Sequence, residues 1–196
     1  MTIPALVTAI IGMAANLPQS ASFSLSEDNA KLNVEAATKA AEKYSLPVEL
    51  LLGQALIESR YDTMALSRRA CDDDGKNCKR VTTPWTSHEK PPHAFPTYYC
   101  GVSQTGGNIS WEECDKMRTD LVYAYETGAK ELTIWMHDPH CASLPDDDRL
   151  QCALAGYGAG YSGVSIYTTL QYPKNVLWAM SRIKQLAEHA DKQNKS

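Results

Sequence analysis

Apolar residues recur at three- and four-residue intervals along most of this chain and break off over one long central stretch. Residues 27 to 44 place Leu32, Val34, Ala37, Ala40 and Ala41 on one modest face, which predicts a helix. Ser45 to Tyr61 predicts the next. Ser45 serves as its cap, and Pro47 stands in the first turn, where a missing N–H costs nothing. Val48, Leu51, Leu52, Ala55 and Leu56 then form an apolar stripe. With so little chain between them, these two helices are expected to pair as a hairpin. The pattern returns over 119 to 137, through Leu121, Val122, Tyr125, Ala129, Leu132 and Trp135. A final helix is expected over 173 to 189, with Val176, Leu177, Met180, Ile183 and Leu186 inward. Leu150 to Ala159, apolar and rich in small residues, has the composition of a central helix packed closely on its neighbours.

Between Arg68 and Tyr99 the periodicity fails. Pro84, Pro91, Pro92 and Pro96 and the polar run from Cys71 to Cys78 predict a long loop, with short hairpins expected only within 78 to 105. The segment 138 to 149 also reads as loop. Residues 1 to 26 open with an apolar run, Ile3, Leu6, Val7 and Ile10 sharing one side. No basic residue precedes that run, and it is too short and broken to span a bilayer. The expectation is a helix packed on a single domain of residues 27 to 190, with 191 to 196 as a frayed tail.

One residue does not belong to the pattern that carries it. Glu58 lies seven residues after Leu51 and three after Ala55, so it projects from the apolar stripe near the negative end of the helix dipole. A carboxyl there is hard to ionise, and a carboxyl kept protonated near neutral pH is what a general acid requires. The competing expectation is that a last-turn glutamate rolls to the helix edge and stays solvated.

Composition narrows the classes. Hydrophobic residues at 43% and charged residues at 21% of 196 describe an ordinary globular chain with room for one sizeable core. A net charge of −4 supplies no field for nucleic acid or for an anionic membrane, so neither partner is expected. Six cysteines suggest a disulfide framework formed in an oxidising compartment. Six allow 15 pairings, of which Cys71 with Cys78 is the natural local one, while Cys152 could equally be plain core. His137, His140 and Cys141 lie close together but lack a fourth ligand at zinc spacing, and Asp72 to Gly75 does not fit a calcium loop. No metal or cofactor is implied.

Four short motifs carry a resemblance. Glu58-Ser59 ends an apolar helix; Gly101-Val102-Ser103-Gln104 forms a turn; Gly156 to Gly160 reads Gly-Tyr-Gly-Ala-Gly; and Tyr172 is followed four residues on by Val176. Their order resembles the lytic transglycosylases of the soluble-lytic-transglycosylase type, a branch of the lysozyme-like superfamily. The four motifs span roughly residues 45 to 185. The resemblance implies a mainly α, lysozyme-like single domain with a long loop insertion. It also implies cleavage of peptidoglycan glycan strands between N-acetylmuramic acid and N-acetylglucosamine, with a 1,6-anhydro product.

Under that resemblance Glu58 is the acid–base residue, Ser59 supports the motif turn, and Tyr157 reaches the Glu58 carboxyl. Gln104 and Tyr172 position sugar or acid, Gly101 lets backbone approach the ligand, and Tyr98, Tyr99 and Trp85 could stack on sugar rings. Gly158 departs from the family's Asn, Gly156 from its Ala and Ser103 from its Met, and residues 60 to 100 are longer than usual. A cell-wall enzyme with no clear leader suggests delivery in a phage virion or by a secretion machine, with action in the periplasm or cell envelope. Two alternatives stand beside this reading. One is a goose-type-like muramidase using Asp62 as second carboxylate to activate water; the other is a non-catalytic glycan-binding or structural component.

Overall fold

The computed structural model describes residues 1–16, 24–70, 79–81, 97–107 and 109–194, with backbone alone for 67–70, 79–81 and 97–98. It is mainly α-helical: α1 (Ile3–Ala15), α2 (Glu27–Tyr44), α3 (Val48–Ser59), α4 (Trp111–Thr119), α5 (Leu121–His137), α6 (Pro139–Ala142), α7 (Asp146–Val164) and α8 (Gln171–Gln193). Four short strands, β1 (Leu66–Ala70), β2 (Lys79–Val81), β3 (Thr97–Cys100) and β4 (Thr105–Gly107), form an antiparallel sheet in the order β2-β1-β3-β4. The Cys71–Cys78 pairing, the Asp72–Gly75 turn and Trp85 lie outside the described residues.

The helices form where the apolar period predicts, with differences at their ends. Ser45 closes α2 in the left-handed region (φ 54°) instead of opening α3, whose N-cap is Pro47 with no side-chain bond. The segment 138–149 is not all loop. Asp138 caps α6 through the His140 N–H, and α7 starts at Asp146, where three aspartates in its first turn suit the positive end of the helix dipole. Helix α4 was not expected; its N-cap Ser110 accepts from the Glu113 N–H, a cap visible in the sequence once the element is known.

Two close contacts set the frame. Helix α2, with Ala30, Ala37, Ala40 and Ala41 buried, packs against α5, and between the two helices the Tyr125 hydroxyl donates to Asn33 Oδ1 at 2.9 Å. A buried polar pair fully bonded in this way fixes register at little cost. Helix α3 crosses α8 at Gly53, where a Cβ would stand 2.8 Å from the Met180 backbone nitrogen. Leu51, Leu52 and Leu56 of α3 are buried in the main core, and Leu50 joins Leu132, Leu154 and Val176 in a second cluster. Each such side chain contributes roughly 1.5–3 kcal/mol by leaving water. Helix α1 packs on α2 and α8, and its cap residue Thr2 is bonded to Asp191. Disulfides Cys100–Cys114 and Cys141–Cys152 tie β3 to α4 and α6 to α7, so Cys152 is a bridge and not a free core thiol.

Candidate active site

Helix α3 ends at Ser59 because Arg60 and Tyr61 both take positive φ (56° and 63°). The chain therefore turns away one residue after Glu58, which is left half-buried at the helix end. Asp62 does not continue the helix. It is exposed, accepts the Met64 N–H at 2.9 Å and lines a cavity with Ser24, Leu25 and Asn29.

Tyr172, in the first turn of α8, is the phenol bonded to Glu58. Burial, with the negative charge of Glu58 behind it, holds that phenol well above its ordinary range, so it stays protonated. Gln54, one turn before Glu58 on α3, donates weakly to the Tyr172 oxygen at 3.5 Å. The α3–α8 crossing at Gly53 is what brings Glu58 and Tyr172 into reach.

Tyr157, on α7, plays a different part from the one expected. Its hydroxyl donates to the Ser103 carbonyl at 2.6 Å, and its oxygen lies 2.9 Å from the Thr105 hydroxyl. Burial comes first in raising this phenol; the charges of Glu58 and Glu131 come next. Tyr157 thus feels the acid as a nearby charge while its proton is committed to the 101–105 turn. The two tyrosines divide the work: Tyr172 touches the carboxyl and Tyr157 holds the turn.

That turn is fixed from every side. Gly101 takes φ 69°, and a Cβ there would overlap the Met117 carbonyl at 2.4 Å, so both conformation and space demand glycine. Ser59 Oγ donates to the Val102 carbonyl at 2.8 Å. Ser103 is buried against Gly128 of α5, where a Cβ would come within 2.7 Å of its own. Gln104 is only 6% exposed, and its amide nitrogen donates to the Gly101 carbonyl at 3.0 Å. In this geometry Gln104 braces the turn, a use that its polar side chain did not announce. Cys100, immediately before Gly101, is anchored to Cys114. Tyr99 is half-buried on β3, its backbone in register with Gly106.

The glycines of 156–160 have steric reasons of their own. A Cβ at Gly156 would meet the Trp135 ring at 2.4 Å, and one at Gly158 would meet the Tyr172 ring at 2.8 Å. The Tyr172 ring therefore fills the space that a side chain at 158 would need. Gly160 (φ 63°, ψ −155°) kinks α7 just beyond Tyr157.

Sequence reasoning missed Glu131. It lies half-buried on α5, its carboxyl takes a hydrogen bond from the Trp135 side chain, and burial raises its pKa against that bond. The only signal was a charge at i−4 from an aromatic on one helix face, which is too common to single out. Among the described residues no cluster of three His, Cys, Asp or Glu side chains could hold a metal, and none of the helices is long and apolar enough to cross a membrane. Comparisons of the chain with family models, with curated proteins and with solved structures find no significant match.

Proposed function

We propose that this protein is a peptidoglycan lytic transglycosylase with Glu58 as its acid–base residue. The observation that carries the reading is the setting of one half-buried carboxyl: it is bonded to the Tyr172 phenol and stands beside a turn pinned by Ser59 and Tyr157. The resemblance of the four motifs, with the mainly α frame that presents them, supports a lysozyme-like domain acting at the bacterial cell envelope.

In this mechanism protonated Glu58 gives its proton to the glycosidic oxygen, and the bond from the muramoyl anomeric carbon to that oxygen breaks. The carboxylate then takes the proton of the muramoyl C6 hydroxyl, whose oxygen bonds to the anomeric carbon and closes the 1,6-anhydro ring. Glu58 returns to its protonated form, and no water is consumed. Hydrolysing glycosidases use a second carboxylate to activate water or to attack the sugar; here the substrate's own hydroxyl is the nucleophile. Tyr172 orients the carboxyl between the two steps. The 101–105 turn supplies a wall of backbone groups beside it.

A hydrolytic reading has two candidates for its second carboxylate. Asp62 lines a cavity with Ser59, Arg60 and Tyr61, and the charge of Glu131 reaches Tyr157 alongside that of Glu58. Mass spectrometry of fragments released from purified peptidoglycan decides between the two reactions. Fragments one water lighter than reducing muropeptides, lost in E58Q, are the expected result. Reducing fragments would make it a muramidase, and no fragments from the wild type would overturn the enzymatic reading.

A further inference from the structure

A groove of ≈ 390 Å³ runs along α5 from the Tyr157-bonded Thr105, past Gly106 and Ile109, to Glu131, Ile134 and Trp135. Its wall is apolar and aromatic, and Ile134 stands 61% exposed on it with no core to fill. Glu131 and Trp135 are four residues apart on α5, adjacent on one face, and the indole N–H is bonded to the carboxyl. Glu113 and Lys130, the other charged residues lining the groove, oppose each other in sign, so it has no strong field to select a highly charged ligand. Apolar walls with a few fixed polar groups suit a molecule that has an apolar face and hydrogen-bonding edges. A pyranose ring is such a molecule.

We propose that this groove carries the glycan strand beyond the scissile bond, with the Glu131 carboxylate accepting hydrogen bonds from an acetamido N–H or hydroxyl of the sugar seated there. The inference rests on the glycan-cleaving reading of Glu58 and adds a binding residue to it. Continuity is the reason for choosing this occupant: Thr105 lines the groove and is bonded to Tyr157, and Tyr157 feels the charges of both Glu58 and Glu131. Glu131 is therefore placed to hold substrate in register with the acid.

The test uses the full chain and soluble, uncrosslinked glycan strands, with E131Q and I134E compared with wild type. Ile134 is exposed, so I134E puts a charge into the groove without entering the core, and it stands in if E131Q folds poorly. Each variant is expected to raise KM about tenfold with kcat within a factor of two or three, the loss of one hydrogen bond to a charged group or of one apolar contact. Calorimetry with an uncharged N-acetylglucosamine tetrasaccharide on E58Q and on the E58Q/E131Q pair is expected to show the same loss. Unchanged KM and unchanged binding in both variants, with an active wild type, would overturn this inference alone. A fall in kcat at constant KM would also overturn it, by moving Glu131 into the chemistry. A wild type that neither cleaves strands nor binds the tetrasaccharide would overturn the underlying reading as well.

Discussion

The two walls of the site are held by different forces. On one side Glu58 and Tyr172 meet because α3 and α8 cross backbone to backbone at Gly53. On the other, the 101–105 turn is held by separate ties: the Cys100–Cys114 bridge, the Ser59 and Tyr157 bonds, and the fit of Gly101 against Met117. The first wall depends on the core and should yield only with it. The second is a set of ties that can be cut singly, so its geometry can be lost while the helices remain. The acid is placed by cooperative packing, and its surroundings are placed by local chemistry.

Gly101→Ala should give the largest effect on the second wall. The added Cβ meets backbone at a φ unfavourable to L residues, at a cost of about 2–5 kcal/mol. Denaturant unfolding should show that loss together with lost activity. Removing the Cys100–Cys114 bridge with paired serines closes a shorter account of the same kind: a loop of this size predicts a loss of about 3 kcal/mol. A melt of the paired-serine variant beside wild type measures it. If stability falls while helical content below the transition stays at the wild-type level, the turn is indeed separable from the helical frame.

Gly53→Ala tests the first wall. It should cost about 1–3 kcal/mol by pushing α8 from α3, and activity should fall with it because Tyr172 moves from Glu58. A variant that loses stability yet keeps full activity would show that the crossing does not set the acid. The tyrosines sharpen the contrast. Tyr172→Phe removes a bond to the acid and should lower kcat about tenfold with little change in melting. Tyr157→Phe leaves the Ser103 carbonyl without its donor and should lower stability by about 1–3 kcal/mol.

The smallest effect concerns pH. Burial raises the Glu131 pKa above its ordinary 4.5, so the folded state holds that proton more tightly than the unfolded chain does. Its contribution is fully present below the unfolded pKa and is lost as pH rises through the folded one. E131Q has no such carboxyl. Its melting temperature should therefore gain on wild type as pH rises above about 4.5, and a constant difference would contradict the burial of that group.

The sequence by itself determined the long helices α2, α3, α5 and α8, because a 3.6-residue apolar period needs no knowledge of partners, whereas the short α4 and α6 were not legible in it. Leu51, Leu52, Ala55 and Leu56 specified α3 and put Glu58 on its inward side. The turn at 101–104 was legible from its run of small and polar residues. What lay beyond it was every relation between distant residues: that Tyr172 is bonded to Glu58 while Tyr157 is bonded to Ser103, that Gln104 turns inward, that Asp62 lines a cavity with Ser24, Leu25 and Asn29, and that the charge of Glu131 reaches Tyr157. Cysteine pairing and the aromatic ring standing in for a side chain at Gly158 belong with these. Local periodicity is set by the chain's own geometry, whereas which side chains meet is decided only when helices cross at particular small residues, and Gly53, Gly128 and Gly158 carry no mark of what will lie against them.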